Sequence, residues 1–443
     1  MGRSSLSGWG LTPTCLTFTE VVTEIALPAS EAAPNSVIAR GLGRGYGDCA
    51  INGFGVTALT TDLKKYELED SLLIAGAGAS IAEILEVIVP RGYFIPVTPG
   101  TKYVTIGGAI AADVHGKNHH KDGSFGSFVQ EIDLQIADGT IQTVSPSSNP
   151  SLFWATIGGM GLTGVILRAK VQLIPIETSK ILNTNIVCSN LEVLMDEMIR
   201  ADKFAKYSVA WVDTLASGKH LGRSILSIGE HATEIDLSKR QQKIPLDYSS
   251  KQLFAFPEIR INGLLNRFTI RLFNNLWFQK ARLSKKKKTV SLDNFFYPLD
   301  MIGNWNRMYG GEGFIQYQIS IPDTSSYLIR LILETFSDHR IPSFLSVLKR
   351  FGSQGNGTLS FPSKGWTLAV DIPAGIEGLG ELLDYLDEKV ADAGGRIYFA
   401  KDSRMNPVFV EKMYPLLKEF RKIKQEIDPK NLFQSNLSRR LGL

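Results

Sequence analysis

Short apolar runs separated by glycine fill the first third of the chain. They predict strands within SVIAR, SLLIAG, VTIGGAIAADV, EIDLQIADG and TGVILRAKVQLIPI. Between the second and third runs, isoleucine and leucine recur at helical spacing. There Ser80 and Glu83 form a capping-box pattern, and Pro90 with Gly92 predicts the end of a helix. Strands that alternate with helices indicate an α/β or α+β domain to about residue 179.

A different pattern runs through the middle of the chain, from about residue 180 to 395. Alternating runs such as GFIQYQISIP and WTLAVDIP predict strands, and LEVLMDEMIRADKF predicts an amphipathic helix. We therefore expect a second domain of antiparallel sheet with covering helices. After it, PLLKEFRKIKQEIDPKNLFQ predicts a helix that begins at Pro415 and ends at Asp428–Pro429. A chain of 443 residues is also too long for one ordinary core, which favours two domains.

Composition narrows the class of protein. The net charge is +4 and 44% of the residues are hydrophobic, as in an ordinary globular protein. The three cysteines are widely spaced, which fits neither a disulfide framework nor a metal knuckle and favours a reducing compartment. The sequence contains no apolar run of signal-peptide length at its start and none of roughly 18 residues that could span a membrane. We expect a cytoplasmic protein.

One segment, residues 260–288, departs from the even charge and is called here the basic–aromatic segment. It contains nine basic residues and no acidic one, with leucine, phenylalanine and tryptophan between them. Positions 261, 265, 268, 272 and 276 recur at helical spacing and predict an apolar helix face. One hypothesis is a surface that meets anionic lipid head groups. The other is an ordinary helix of the second domain followed by a solvated lysine loop. No nucleic-acid recognition module accompanies the charge.

A glycine-rich loop, ARGLGRGYGD, spans Ala39–Asp48. Four glycines at alternate positions remove side chains and allow backbone N–H groups to converge on an anion, which Arg40 and Arg44 would reinforce. No helix obviously follows, so this is not the dinucleotide fingerprint. The functional hypothesis is a pyrophosphate nest, and the alternative is a mobile glycine loop. Tyr46 and Asp48 within the loop favour the first.

Two further glycine motifs resemble nicotinamide-binding signatures only in part. AGAGAS, Ala75–Ser80, lacks the third glycine, so we interpret it as a plain strand–helix turn. GMGLTG, Gly159–Gly164, has the right spacing but precedes the strand-like run VILRAKVQLIPI, whereas the signature requires a helix. The sequence therefore predicts no nicotinamide site.

The stretch GGAIAADVHGKNHH combines small residues with imidazoles and an ammonium group. Glycine and alanine dominate positions 107–112, so a flat ring or a diphosphate could approach the backbone. His115, Lys117, His119 and His120 follow at once, without the partners expected of a zinc site, so no metal is predicted. Far along the chain, Lys401 ends an apolar strand. If it faces this cluster, neighbouring cations favour a neutral amine that can take a proton at neutral pH.

Taken together, the motifs resemble the vanillyl-alcohol-oxidase-type FAD-linked oxidases, and within them the branch that oxidises decaprenylphosphoryl-β-D-ribose. The resemblance covers nearly the whole chain and rests on ARGLGRGYGD, PGTKYVTIGGAIAADVHGKNHHKDGSFG, GGMGLTGVILRA, GFIQYQISIP, GRIYFAKDSR and IDPKNLFQSNLSRRLGL. It implies an α+β, two-domain FAD-linked oxidase fold. A bipartite FAD-binding domain would comprise residues 1–179 and 396–443, around an antiparallel-sheet substrate domain at 180–395. The basic–aromatic segment falls where the family has a mobile region, which favours the lipid-surface hypothesis.

The resemblance also implies roles for individual residues. Non-covalent FAD would contact Ala39, Arg40, Gly41, Leu42, Gly43, Arg44, Gly45, Tyr46, Gly47, Asp48, Cys49, Gly100, Thr105, Ile106, Gly107, Gly108, Ala112, Asp113, Val114, His115, Val165 or Ile166, and Tyr398. The family's catalytic lysine matches Lys401, which would act as the base or orient the hydroxyl, with Tyr46 as the second candidate. His115 and Lys117 would hold flavin and substrate. The sugar phosphate would contact Lys117, Gln316, Gln318 and Lys349.

Two positions depart from the family pattern. The family's active-site asparagine and cysteine correspond to Thr367 and Ala369. The missing thiol predicts insensitivity to inhibitors that capture that cysteine, and the missing asparagine leaves the exact sugar open.

The expected function is oxidation of the 2′-hydroxyl of a polyprenylphosphoryl-β-D-ribose, with hydride transfer to flavin N5. The 2′-keto product would pass to a separate NADH-dependent reductase, and the protein would associate peripherally with an anionic membrane surface, with the periplasmic face left open. Nucleic acid is not an expected partner. The alternatives are an FAD-dependent oxidase of a soluble alditol or sugar lactone and, ranked last, a non-enzymatic flavin- or lipid-binding scaffold.

Overall fold

The structure is a computed structural model that describes residues 2–22, 36–250, 252–258, 263–284 and 287–443. Its first sheet has the strand order β1-β2-β4-β3, antiparallel between β1 and β2 and parallel elsewhere. The strands are β1 (Gly2–Ser7), β2 (Thr14–Val21), β3 (Val37–Arg40) and β4 (Val56–Leu59). The glycine loop Ala39–Asp48 therefore begins at the end of β3.

A five-stranded antiparallel sheet completes the first part of the chain, in the order β5-β6-β10-β8-β9. Its strands, with the small pair β7·β11, are β5 (Tyr66–Glu69), β6 (Leu72–Gly76), β7 (Tyr93–Phe94), β8 (Val129–Gln135), β9 (Ile141–Val144), β10 (Val165–Gln172) and β11 (Ile174–Pro175). The helices among them are α1 (Ile81–Ile88), α2 (Ile106–Ala111), α3 (His119–Asp122) and α4 (Pro150–Thr156). The Ser80–Glu83 capping box at α1 and the strand after Gly159–Gly164 are confirmed.

The predicted strand within VTIGGAIAADV is wrong, because this run forms helix α2. The Thr105 hydroxyl caps the helix by accepting a hydrogen bond from the Gly108 N–H at 3.2 Å. Ile106, Ala109 and Ile110 are buried at helical spacing. A short run of small apolar residues fits a helix and a strand equally well by pattern. The helix packs closely against the neighbouring chain, because a Cβ on Gly107 would lie only 2.9 Å from the Ala77 side chain.

An eight-stranded antiparallel sheet forms the middle of the molecule, in the order β16-β12-β14-β13-β19-β20-β18-β21. The strands are β12 (Lys180–Cys188), β13 (Tyr207–Val212), β14 (Ser224–His231), β16 (Lys287–Ser291), β18 (Phe314–Ile321), β19 (Ser346–Phe351), β20 (Gly365–Pro373) and β21 (Arg396–Ile397). A short parallel pair joins β15 (Phe254–Ala255) to β17 (Ile302–Gly303). The accompanying helices are α5 (Leu191–Ala201), α6 (Arg267–Leu283), α7 (Leu292–Phe296), α8 (Tyr327–Asp338) and α9 (Leu379–Asp392).

Helix α6 contains most of the basic–aromatic segment and does not bury the face predicted for it. Phe268, Leu272 and Leu276 are exposed by 70, 61 and 63%. The buried positions are Ile270, Asn274 and Phe278. The apolar periodicity was real, but it marks a solvent-facing stripe, which argues against an ordinary core helix. Residues 260–262 and 285–286 of the segment lie outside the described residues.

The end of the chain returns to the first sheet. Its helices are α10 (Val410–Met413), α11 (Leu417–Ile427) and α12 (Asn436–Leu441). The Val37 N–H donates to the Leu432 carbonyl at 2.7 Å, and the Arg440 guanidinium lies 2.9 Å from the Asp48 carboxylate. Residues more than 390 positions apart thus hold the glycine loop in place. The domain limits 1–179, 180–395 and 396–443 stay a prediction.

Candidate flavin and substrate site

A cavity of about 830 Å³ lies between the glycine loops and one face of the eight-stranded sheet. The sheet contributes alternate residues, because successive side chains of a strand point to opposite faces. The residues of this face that line the cavity are Asn183, Asn185, Val209, Trp211, Ile225, Ser227, Lys288, Val290, Gln316, Gln318, Val347, Lys349 and Ala369. The volume lies in the upper range of small-molecule sites, roughly 300–1,000 Å³.

Most residues predicted from the sequence meet at this cavity. All candidates for catalysis and substrate binding line it: Lys401, Tyr46, His115, Lys117, Gln316, Gln318 and Lys349. The predicted cofactor residues on its wall are Ala39, Gly41, Leu42, Gly43, Arg44, Gly45, Tyr46, Cys49, Gly100, Thr105, Gly107, Gly108, Ala112, Val114, His115 and Tyr398. Residues from the first, middle and last parts of the sequence therefore share one site.

Five predicted cofactor residues lie behind the wall instead of on it: Arg40, Gly47, Asp48, Ile106 and Asp113. Of the alternatives Val165 and Ile166, Ile166 lines the cavity. The Arg40 guanidinium donates to two backbone carbonyls. The carboxylate of Asp48 pairs with Arg440. The buried carboxyl of Asp113 accepts hydrogen bonds from two hydroxyls and one backbone N–H. The three polar side chains are thus held by protein groups, and the cofactor contacts expected of these residues stay a prediction.

The glycine loop is fixed by close backbone packing. The Tyr46 N–H donates to the Ala400 carbonyl at 2.8 Å, and the Trp9 N–H donates to the Gly45 carbonyl at 2.7 Å. A Cβ on Gly47 would lie 1.8 Å from the Asp402 carbonyl oxygen, so a side chain has no room there. The loop is not the mobile segment of the alternative hypothesis.

The cavity offers a cation suited to a diphosphate. The Arg44 guanidinium carbon lies 3.8 Å from the centroid of the Trp9 ring. Its Nε atom is buried without a hydrogen-bond partner among the described residues. A phosphate oxygen would satisfy this donor, and the arginine fork suits phosphate geometry. Gly100 adds open space, since nothing lies within 4 Å of a Cβ placed there. The residues present therefore fit an FAD diphosphate.

Three lysines line the same cavity: Lys117, Lys349 and Lys401. Burial and, to a smaller extent, the charge of Lys349 lower the pKa of Lys117 to about 7, and burial lowers the pKa of Lys349 to about 7. Burial and the Lys349 charge also lower the pKa of Lys401, which an attraction to Asp371 partly restores. The Lys401 Nζ lies 3.6 Å from the centroid of the Tyr46 ring. The sequence-based expectation of a proton-accepting lysine thus fits its environment.

The imidazole of His115 links the lysines to the sheet. Its Nε2 lies 2.8 Å from the Gln318 amide nitrogen, and its Nδ1 lies 3.1 Å from the Lys349 Nζ. Burial and the nearby Lys349 charge hold the pKa of His115 well below its ordinary value. A neutral imidazole has one N–H, so it accepts from the amide when it donates to an uncharged amine. The lowered pKa of Lys349 is consistent with that arrangement.

The Tyr46 phenol is a weaker candidate for the base. Burial, followed by the Asp371 charge, raises the pKa of Tyr46 well above its usual value. The ring packs edge-on against Phe314 at 5.3 Å between centroids. A neutral phenol at ordinary pH can donate a hydrogen bond but cannot take a proton from an alcohol.

Sequence reasoning missed one end of the cavity. Its apolar wall residues are Trp211, Ile225, Phe273, Trp277, Val290 and Phe344. In YSVAWV, alternation shows that Val209 and Trp211 share a strand face, but not that this face meets a cavity. The face is fixed by the order of the eight strands, which pattern alone does not supply.

The arrangement combines a glycine loop with an unpartnered buried arginine donor, amines of lowered pKa and large apolar wall residues. A family model described as an FAD binding domain matches residues 18–145. The fold and the site define an FAD-dependent oxidoreductase of the FAD-linked oxidase class, and the predicted α+β fold and FAD cofactor are confirmed.

Relatives identify the family within that class. The chain is 39% identical to decaprenylphosphoryl-β-D-ribose oxidase of Mycolicibacterium smegmatis, over 99% of this chain and 97% of that protein. It is 37% identical to an uncharacterized protein of Streptomyces coelicolor, over 82% of this chain and all of that protein. D-lactate dehydrogenase of Archaeoglobus fulgidus is 29% identical over 31% of this chain and 33% of its own length. The chain belongs to the decaprenylphosphoryl-β-D-ribose oxidase family.

Proposed function

We propose that this protein oxidises the 2′-hydroxyl of a polyprenylphosphoryl-β-D-ribose to the 2′-keto sugar, the first half of epimerisation to the arabinose form. One observation carries the proposal: a single cavity is lined both by three lysines and by the large apolar side chains Trp211, Phe273, Trp277 and Phe344. A lipid-linked sugar phosphate has an anionic centre and a long apolar chain. Its binding site therefore needs cationic side chains for the phosphate and apolar side chains for the lipid. The name of the Mycolicibacterium smegmatis relative supports the same substrate class.

The cationic end would hold the sugar phosphate. Lys117 and Lys349 would contact the phosphodiester, whose negative charge favours the ammonium forms. Gln316 and Gln318 would contact the sugar hydroxyls from strand β18. The Lys401 amine would take the hydroxyl proton, since its pKa is lowered by burial. FAD, when bound along the glycine-loop wall, would supply the two-electron oxidant for the hydride lost from the carbon.

The apolar end would hold the first isoprene units. Phe273 and Trp277 of α6 stack with 6.2 Å between ring centroids, and Phe273 also contacts Phe344 at 5.3 Å. Asn274, on the buried face of α6, donates to the Asp213 carboxylate at 2.7 Å and anchors the helix. Polyprenyl carbon would thus leave the sugar site between the sheet and α6.

The cofactor would lie along the wall formed by the glycine loop and α2. Arg44 would meet the diphosphate. Both ring nitrogens of His115 lie within hydrogen-bond distance of protein groups, which supports FAD held without a bond to this residue. The domain division 1–179, 180–395 and 396–443 belongs to the same proposal, supported by the return of the chain end to β3.

Partners beyond the substrate are also proposed. The exposed stripe Phe268, Leu272 and Leu276 on α6, with basic residues beside it, would rest on an anionic membrane surface. No helix in the described part of the chain is both long and apolar enough to cross a membrane. The keto product would pass to a separate NADH-dependent reductase, because Gly159–Gly164 lead into a strand where a nicotinamide signature needs a helix.

The visible spectrum of the FAD-loaded protein tests the proposal. Under anaerobic conditions, a polyprenylphosphoryl-ribose should bleach the flavin band, and acid should release the flavin into solution. An alditol and a sugar lactone serve as matched soluble substrates. Bleaching by these and not by the lipid-linked sugar would favour the soluble-substrate oxidase. A band that no sugar bleaches would contradict both and favour a scaffold.

A further inference from the structure

Asp371 is a buried carboxyl directly behind the cavity wall that no role above uses. It lies on strand β20, two residues after the wall residue Ala369 and therefore on the same sheet face. Its partner across the strand pair is Gln316. The side chain is fully buried. An acidic residue in the centre of an apolar strand is costly to bury unless it is paired, so its presence needs an explanation.

A continuous set of contacts leads from Asp371 to Lys401. The Gln316 amide nitrogen donates to the Asp371 Oδ1 at 2.5 Å. The same amide hydrogen-bonds to the Tyr46 phenol. The Tyr46 ring then lies beneath the Lys401 Nζ, 3.6 Å from ring centroid to nitrogen. Asp371 therefore holds the Gln316 amide, and Gln316 in turn holds the Tyr46 ring against which Lys401 lies.

The charges of the two end groups also interact. The second carboxyl oxygen, Oδ2, is buried without a hydrogen-bond partner among the described residues. Burial raises the pKa of Asp371, and the positive charge of Lys401 opposes that rise. In turn, the Asp371 charge raises the pKa of Lys401 against the effects of burial and Lys349. The carboxylate is thus placed to stabilise positive charge on Lys401.

We propose that Asp371 is a positioning residue for the oxidation, which orients Gln316 and Tyr46 beneath Lys401 and stabilises the ammonium that Lys401 forms. The proton moves from the substrate hydroxyl to the Lys401 Nζ, and Asp371 takes none of it. The identity of the substrate rests on the proposed function, but the charge coupling between Asp371 and Lys401 does not.

The first test measures that coupling without substrate. In the FAD-loaded protein, acetylation of Lys401 by acetic anhydride is followed against pH by peptide mass spectrometry, with exposed Lys412 as the internal reference. Asp371→Asn removes the charge at nearly constant shape, so the pKa of Lys401 should fall and the labelling midpoint should move down by about half a pH unit or more. An unmoved midpoint would overturn the proposal.

A matched control separates charge coupling from the loss of any buried acid. Asp387 on α9 is also fully buried with a raised pKa, but it pairs with Arg404 at 2.8 Å and is not among the charges that act on Lys401. Asp387→Asn should leave the Lys401 midpoint in place, and an equal shift in this variant would overturn the proposal. If Asp371→Asn does not retain FAD, the smaller uncharged Asp371→Ser provides the same measurement.

Turnover distinguishes this inference from the proposed function. With polyprenylphosphoryl-ribose, Asp371→Asn should lower kcat roughly tenfold and move the acidic limb of the kcat/KM profile to lower pH. A shifted labelling midpoint in a protein that oxidises no lipid-linked ribose would support the coupling and refute the substrate. Turnover by the unaltered protein with identical pH profiles for Asp371→Asn would refute the coupling alone.

Discussion

The two walls of the cavity are built in opposite ways. The glycine-loop wall is fixed by backbone contacts so close that a Cβ on Gly47 would lie 1.8 Å from a carbonyl oxygen. Helix α6, which also lines the cavity, buries three of its 17 residues and leaves Phe268 70% exposed. A rigid wall suits a cofactor of one shape, whereas a loosely packed apolar wall suits a flexible chain. Under the proposed function, the difference teaches that the cofactor would be held in a fixed position and the lipid chain in an adaptable one.

The largest expected effect comes from altering the rigid wall. Gly47→Ala should abolish FAD binding and lower the free energy of unfolding by about 3 kcal/mol or more, because the new Cβ collides with the backbone at Asp402. Flavin content and Tm measure this. Gly380→Ala is the control, since nothing lies within 4 Å of a Cβ there. A Gly47→Ala protein with full flavin would contradict the description of a rigid wall.

The second largest effect is expected when the proposed base is removed and the structure of the rigid wall is kept. Lys401→Met keeps the length of the side chain and removes the amine, so kcat should fall by about 10²–10⁴-fold while FAD content stays unchanged. Lys412→Met serves as the control, because Lys412 is exposed and pairs with Asp392. Unchanged turnover in Lys401→Met would show that Lys401 is not the base and would favour Tyr46, the second candidate.

The third largest effect is expected from a substitution on α6, the adaptable wall. Phe273→Ala should raise KM for a long-chain lipid-linked ribose roughly tenfold with little change in kcat, because burial of one large apolar side chain contributes about 1.5–3 kcal/mol. The KM for a short-chain analogue should not change. Phe204→Ala makes the same substitution at a 71% exposed position away from the cavity. A fall in kcat without a change in KM would show that Phe273 belongs to the catalytic end.

The smallest effect on turnover is expected at the outer face of α6. Replacing Phe268, Leu272 and Leu276 with Gln should abolish co-sedimentation with vesicles that contain phosphatidylglycerol. Turnover of a micellar short-chain substrate should change by less than about twofold, since these side chains point away from the cavity. Phe204→Gln with Ile235→Gln tests exposed apolar residues elsewhere. Equal vesicle binding by both variants would refute the membrane surface.

The sequence revealed the rigid wall better than the adaptable one. Glycines at alternate positions and the Ser80–Glu83 pair constrain the backbone locally, so their consequences can be predicted without the fold. Lys401 was placed near His115 by residue chemistry and by resemblance, and the structure brings both to one cavity.

Features that depend on long-range packing could not be predicted in this way. The apolar stripe of α6 was recognised, but whether it faces a core or solvent depends on what packs against the helix. Asp371 sits in an apolar run whose alternation gives no sign that Gln316 lies across from it. Strand order decides that contact, and strand order is a property of the whole sheet.

The most direct test of the central claim is a chain-length series. The kcat/KM of the FAD-loaded protein is measured for phosphoryl-riboses that differ only in the number of isoprene units. A cavity with a catalytic end and a lipid end predicts that kcat/KM rises over the first few units and then levels off once the part of the cavity beside Phe273 is filled. A kcat/KM that is independent of chain length would contradict the claim that one cavity serves sugar and lipid together.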